Sequence, residues 1–240
     1  MKRLEGKIAI VTGGNSGIGK CICETFSREG ARVLSYDLKE LPYEYDNVEG
    51  FIGSVTDRNR IVELVEYVMD EYGKIDILVN NAGITRDALT HKMTEEMWDN
   101  VIEINLKGTF NMGQAIGPLM MKQGTGSIVN IASVVGEYGN IGQINYAATK
   151  SGVIGMAKTW AKEFSRKGAA VRCNVVAPGY TMTDMMKTVP ETVLGPIKEK
   201  TMLNRLAQPQ EIANGVLFLA SDEASFVTGH VLSVNGGLRL

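Results

Sequence analysis

The stretch KIAIVTGGNSGIG, Lys7 to Gly19, decides the fold. A short β-branched apolar run, Lys7 to Thr12, ends on glycines and leads straight into a segment of helical period, Gly17 to Glu29. Strand, glycine-rich turn and helix in that order open a βαβ unit. Glycine suits such a turn because it adopts φ angles that strain other residues and because a backbone without side chains can approach a ligand closely. The turn also aims main-chain N–H groups and the positive end of a helix at one point, which favours a pyrophosphate. Gly13, Asn15, Ser16, Gly17, Ile18 and Gly19 are therefore candidate cofactor-binding residues.

Outward from this turn, strand-like runs recur at Ala31 to Tyr36, Gly50 to Val55, Ile75 to Asn80, Ser127 to Ala132, Val171 to Ala177 and His230 to Val234. Helical patterns fall between them at Asp57 to Tyr72, Thr94 to Lys122, Tyr146 to Lys167 and Pro209 to Ser221. This alternation predicts an α/β fold: a Rossmann-type doubly wound parallel sheet of about seven strands, helices on both faces, in a single domain over residues 1–240. Thr56 or Asp57 is the expected cap of the second helix. The connection from Asp37 to Gly50 contains Pro42 and leaves little room for a crossover helix, so an irregular loop is expected there. Tyr180 to Gln208, with Pro190 and Pro196, lacks clear periodicity and reads as a substrate lid, segment 180–208.

Composition narrows the function. The 240 residues suit one large α/β domain, and 27 glycines, roughly 11% against a usual ~7%, without many prolines, need a structural reason. With 25 basic and 27 acidic residues the net charge is −2, which supplies no basic field for nucleic acid. The opening MKRLEGKIAIVTGG matches neither a signal peptide nor a membrane span, so a cytoplasmic protein without membrane contact is expected. Cys21 and Cys23 would point away from each other on a helix, which predicts two buried helix thiols and, with Cys173, a strand thiol rather than a disulfide or metal site. His91 and His230 are the only histidines, too few for a metal cluster or a serine-hydrolase triad.

Four further positions carry chemistry. Asp37 ends the second strand, where a carboxylate can accept hydrogen bonds from the adenosine ribose and repel a 2′-phosphate, favouring NAD(H); Lys39 nearby keeps NADP(H) open. Tyr146 and Lys150 stand four apart, on one helix face. An ammonium there would lower the phenol's pKa and fit it for general acid/base work, although such a pair is also common on plain helix surfaces. Ser133 follows the fifth strand, at the sheet edge where ligands bind, and its hydroxyl can polarise a carbonyl.

Taken together, TGGNSGIG, NNAG at Asn80 to Gly83, Asn105, Ser133, Tyr146, Lys150 and Pro178-Gly179 resemble the short-chain dehydrogenase/reductase family, over nearly the whole chain. Within it the likeness is to the bacterial 3-oxoacyl-[acyl-carrier-protein] reductases, through NNAGITRD, INLKGTFN, the run from Ser133 to Glu163, VVAPGY and the closing SDEASFVTGHVLSVNGG. The resemblance implies that Tyr146 exchanges the proton, Lys150 lowers its pKa and holds the nicotinamide ribose, Ser133 binds the substrate oxygen and Asn105 anchors a water of the proton relay. It further implies that Asn81, Ala82 and Gly83 line the adenosine side, that Ser54 and Val55 lie by the adenine, and that Pro178, Gly179, Thr181 and Thr183 shape the nicotinamide side. A carrier-bound or small-molecule acyl substrate and a homotetramer pairing through the helices Thr94 to Lys122 and Tyr146 to Lys167 follow from the same likeness.

The chain departs from that pattern in places. Ser54-Val55 stands where such members carry Asp-Val, Ser16 where the carrier-protein reductases place an arginine, and Thr181 where isoleucine is common. These departures leave a hydroxysteroid, polyol or cyclic diol as alternative substrates, and a nucleotide-sensing module as an alternative class; keeping Asn105, Ser133, Tyr146 and Lys150 together argues against a sensor. Lys122, Arg166 and Lys167 are candidates for a carrier-docking rim at the site mouth, or else solvated helix-end lysines and arginine. Met182, Met185, Met186 and Met202 could line an apolar channel or simply fill gaps.

Overall fold

Ile8 and Ile10 face one side of the first strand, β1 (Ile8–Thr12), and Ala9 and Val11 the other, and all four are buried. A strand buried on both faces belongs inside a sheet covered by helices on both sides. The computed structural model, which describes residues 2–183 and 191–238, places β1 at the third position of seven parallel strands. The others are β2 (Arg32–Asp37), β3 (Val48–Ile52), β4 (Ile77–Asn80), β5 (Thr125–Ile131), β6 (Ala170–Pro178) and β7 (Val231–Val234), in the order β3-β2-β1-β4-β5-β6-β7. The expected doubly wound sheet is thus present.

The helices are α1 (Gly17–Arg28), α2 (Arg58–Tyr72), α3 (Glu95–Val101), α4 (Gly108–Gln123), α5 (Val134–Tyr138), α6 (Ile144–Glu163), α7 (Glu191–Glu199) and α8 (Pro209–Ala220). Ile22 and Phe26 of α1 and Ile212 and Val216 of α8 pack on the Ala9–Val11 face. Leu64 of α2, Met112 and Ile116 of α4 and Trp160 of α6 cover the opposite face. Asp57 caps α2, its carboxylate accepting from Asn59 N and Arg60 N at 3.0 and 3.1 Å.

Several expectations need correction. The third strand lies at Val48–Ile52, not Gly50 to Val55, because Gly53 N donates to Asp37 O and the chain then leaves the sheet. The helix expected over Thr94 to Lys122 is broken by a π-helical turn, Ile102–Lys107. There the Asn105 carbonyl accepts from Thr109 Oγ1 at 2.7 Å, and Gly108 passes so close to Val55 that a Cβ would sit 2.4 Å from its Cγ2. Cys21 is only half-buried, whereas Cys23 and Cys173 are buried. The stretch from Tyr180 to Gln208 holds helix α7. Lys122, Arg166 and Lys167 gather before the N-terminal ends of β5 and β6, about 20 Å of strand away from Ser133 at the other end of β5, so within one chain they do not rim the site mouth. The loop without a crossover helix after Asp37 is observed as expected.

Helices α4 and α6 meet through two glycines. A Cβ on Gly113 would fall 2.3 Å from the Trp160 ring, and one on Gly117 2.3 Å from the Phe164 ring. The two rings stack with centroids 5.8 Å apart. Alanine gains about 1 kcal/mol over glycine in a helix, but forcing a methyl into a packed ring costs typically about 1–3 kcal/mol. Gly117→Ala is therefore expected to lower the Tm by a few degrees in a thermal melt, and a Tm equal to or above the parent's would contradict this packing.

Candidate active site

Between β1 and β4 the strand order reverses, so the loops after these two strands part and leave a crevice at their C-terminal ends. The glycine turn forms one wall. Gly13 and Gly17 have φ of +65° and +54°, and a Cβ on Gly19 would stand 2.0 Å from the Gly13 carbonyl oxygen. The opposite wall is tied to it: Asn81 Nδ2 donates to the carbonyls of Thr12 and Gly13, both at 3.0 Å, and Thr12 Oγ1 accepts from Asn81 N and Ala82 N, both at 3.0 Å. Ser16 is the N-cap of α1, yet its side chain caps no amide, so the first turn presents uncapped N–H groups to the crevice.

A cavity of about 440 Å³ fills this crevice. Of the residues expected to bind cofactor, Gly13, Ser16, Gly17, Ile18, Gly19, Asp37, Ser54, Val55, Asn81, Ala82, Gly83 and Thr183 line it. Tyr36, Leu38, Gly53, Ile84 and Ile104 line it too and escaped the sequence reading. Their apolar types gave no chemical signal, although Tyr36 and Leu38 flank Asp37. Asn15, Pro178, Gly179, Thr181, Tyr146 and Lys150 are not among the lining residues. Asn15 turns its amide to the loop carbonyls of Lys39 and Glu40. Thr181 is buried, with Oγ1 donating to Gly179 O at 3.2 Å, and Gly179 presses on Asn235 too closely for a side chain. The glycine cradle, the open helix end and the Asp37 carboxylate at the far end fit the two phosphates and one ribose of a dinucleotide.

The residues expected to handle the proton lie together beside Gly83, which lines the crevice. Ser133 ends the chain's exit from β5 and caps α5, its Oγ accepting from Val135 N at 3.1 Å. Tyr146 is the third residue of α6 and packs against Val134, Val135 and Leu238. Lys150, one turn on, is buried with its Nζ 5.5 Å from the Tyr146 ring centroid and 2.7 Å from Ile131 O, to which it donates. The expected lowering of the phenol pKa is not what this structure holds. Burial pushes the Tyr146 phenol up; the Ser133 hydroxyl opposes that and the Asp87 carboxylate adds to it. Burial also brings the Lys150 ammonium down to about 8. Burial is the leading cause of both shifts.

Asn105 is buried in the π-helical turn. Its Oδ1 accepts from Ile84 N at 2.8 Å and its Nδ2 donates to Ile84 O at 2.9 Å, so its carboxamide clamps the chain one residue beyond Gly83. That geometry gives the side chain a positioning task on the loop beyond Gly83. Met185 and Met186 of the expected channel lie outside the described residues; Met202 is exposed. Among the described residues no helix is long and apolar enough to cross a membrane.

Such a crevice, with Ser133, Tyr146 and Lys150 beside it, defines an oxidoreductase built on a dinucleotide fold, and comparison with known proteins agrees. A family model described as enoyl-(acyl carrier protein) reductase matches residues 13–239. The chain is 51% identical to the 3-oxoacyl-[acyl-carrier-protein] reductase FabG of Thermotoga maritima, covering 98% of this chain and 99% of that protein. It is 45% identical to the protein of the same name from Escherichia coli K12, over 98% of each. A crystal structure of gox2181 superposes with a TM-score of 0.92 at 34% identity, covering 98% of this chain and 96% of that one. The chain belongs to the short-chain dehydrogenase/reductase family, whose members are nicotinamide-dependent oxidoreductases.

The buried ammonium makes stability depend on pH. Because Lys150 is held near 8 in the folded chain against an ordinary 10.5, the unfolded chain binds more protons between these values, and this residue's contribution to stability rises with pH across that window. Relative to Lys150→Met, the parent should gain about 2 kcal/mol between pH 7.5 and 9.5 in denaturant unfolding. A difference that stays flat with pH would show the amine to be freely solvated.

Proposed function

We propose that this protein is an NAD(H)-dependent reductase of 3-oxoacyl thioesters, carried on acyl carrier protein or coenzyme A, working by hydride transfer with Tyr146 as acid. The observation that carries the reading is the clustering of Ser133, Tyr146 and Lys150 beside Gly83, one of the residues lining a crevice that also holds Asp37. The relatives named for 3-oxoacyl-[acyl-carrier-protein] reduction support the substrate class.

When bound, the reduced nicotinamide supplies a hydride to the carbonyl carbon. The chain's residues manage the oxygen. Ser133 Oγ donates to the carbonyl oxygen and polarises it, while Tyr146 Oη delivers the proton that turns it into a hydroxyl. Burial keeps the phenol protonated, so its proton is in place for this direction, and the Lys150 ammonium stands beside the phenolate left behind. Lys150 and Thr183 are the groups for the nicotinamide ribose and carboxamide, with Pro178, Gly179 and Thr181 shaping that loop; Gly13 to Gly19 serve the phosphates. Ser54 and Val55 take the adenine, and Asp37 the adenosine ribose.

Exposed Tyr138, Ile141 and Ile144 lie on the segment between Ser133 and Tyr146, an apolar border suited to an acyl chain. A hydroxysteroid would find the same border, whereas a polyol would not. The segment 180–208 serves as a lid, and a cytoplasmic homotetramer completes the proposal.

Tyr146→Phe is expected to lower kcat for acetoacetyl thioester reduction at least about a hundredfold with cofactor affinity kept; equal turnover would remove the acid from Tyr146. The parent should show a higher kcat/KM with NADH than with NADPH, and Asp37→Ala should narrow that preference. A thioester, steroid and polyol panel assayed in parallel should favour the thioester, and a steroid-specific enzyme would replace this substrate assignment.

A further inference from the structure

The loop after β2 has no crossover helix to hold it, yet it forms the wall beside Asp37. Asn15, in the middle of the glycine turn, does the holding. Its Nδ2 donates to Lys39 O at 2.8 Å and to Glu40 O at 3.0 Å, and its Oδ1 accepts from Ser35 Oγ at 2.8 Å. Its main-chain N–H donates to Asp37 Oδ2 at 3.1 Å, while Asp37 Oδ1 accepts from Leu38 N at 2.7 Å. A second tie lies alongside: Tyr43 Oη donates to Gly14 O at 2.7 Å, with Lys20 Nζ 4.8 Å over the Tyr43 ring. Gly14 is needed for this fit, since a Cβ there would stand 2.3 Å from Ser35 Oγ.

Asn15 therefore spends its Nδ2 on the loop and its Oδ1 on Ser35 of β2, and neither on the crevice. The result is a carboxylate held at both oxygens by main-chain N–H groups, with lone pairs left over for a ligand hydroxyl. A carboxylate that cannot swing away accepts from a ribose 2′-hydroxyl at little ordering cost and cannot evade a 2′-phosphate. We infer that Asn15 is a positioning residue for cofactor choice, latching the Leu38 to Tyr43 loop to the glycine turn so that Asp37 discriminates against a phosphorylated adenosine ribose. This rests on the dinucleotide reading given under Proposed function.

The test is binding, not turnover. Dissociation constants for NADH and NADPH are read from the fluorescence of the reduced nicotinamide for the parent, Asn15→Ala, Asp37→Ala and the double variant, with Ser35→Ala as a milder disruption of the same latch. Asn15→Ala keeps the main-chain N–H but frees the loop. The expected result is a fall of about tenfold in the NADPH-to-NADH ratio of dissociation constants, the size of one lost charge-assisted hydrogen bond. Ser35→Ala should move the ratio in the same direction by less. In the Asp37→Ala background Asn15→Ala should leave the ratio unchanged, which a merely structural asparagine would not do. If Asp37→Ala collapses the ratio while Asn15→Ala and Ser35→Ala both leave it within twofold of the parent, the latch is overturned and the cofactor reading stands. If Asp37→Ala itself leaves the ratio unchanged, the cofactor reading falls and takes the latch with it.

Discussion

Helix α1 can enter the fold only because two stretches of main chain touch. At Gly19 the helix crosses the Gly13 carbonyl at a distance that admits no side chain, and the Asn81 carboxamide binds that same carbonyl from the far wall. This contact joins the first strand, the first helix and the end of β4 at one place. It fixes the width of the crevice, brings the uncapped amides of α1 to bear on it and sets Asn81, Ala82 and Gly83 opposite them. The packing of both helical layers sits on the sheet, but the crevice exists because of this crossing.

Beside it the protein buries charge. Lys150 and Tyr146 lie one helical turn apart in an environment that penalises both ionised forms, and the ammonium is held by a single main-chain carbonyl. In water such a pair would settle as ammonium and neutral phenol without tension. Here the phenol holds its proton more tightly, while the Lys150 amine, near 8, loses or gains one on a smaller change of surroundings than it would at the surface. The Asp87 carboxylate, held by Gln143 Nε2 at 2.9 Å, adds to the bias from the loop beyond Gly83.

How much of this the sequence disclosed depended on whether local chemistry or distant packing set each feature. The central strands were legible because strands buried on both faces leave continuous β-branched runs, and the glycine turn because close approach demands glycine. Twelve of the expected cofactor residues line the cavity, those of the turn and Asp37 read from local chemistry and the others from the family resemblance. The orientation of Asn15 was not legible: its position in the motif says nothing about which way its amide turns, which depends on a loop more than twenty residues on. The π-helical turn was hidden since periodicity over one inserted residue hardly differs from that of a straight helix. Helix α5 was too short to show a period, and α7 contains a proline. The phenol's pKa was read from its neighbour alone, and burial, which only the folded chain reveals, reversed the sign.

The π-helical turn over Ile102–Lys107 has a consequence for length. One extra residue in a helix rotates everything beyond it by about 100°, because an α-helix takes 3.6 residues to a turn. That rotation is what allows Asn105 to reach Ile84 while Asn111 still faces α2 and Gly113 and Gly117 face the Trp160 and Phe164 rings. Trimming this turn to a regular spiral would spin α4 out of register with Trp160 and Phe164 or pull Asn105 off its clamp, and it could not spare both. The segment is a spacer whose length, more than its composition, is held in place from two sides.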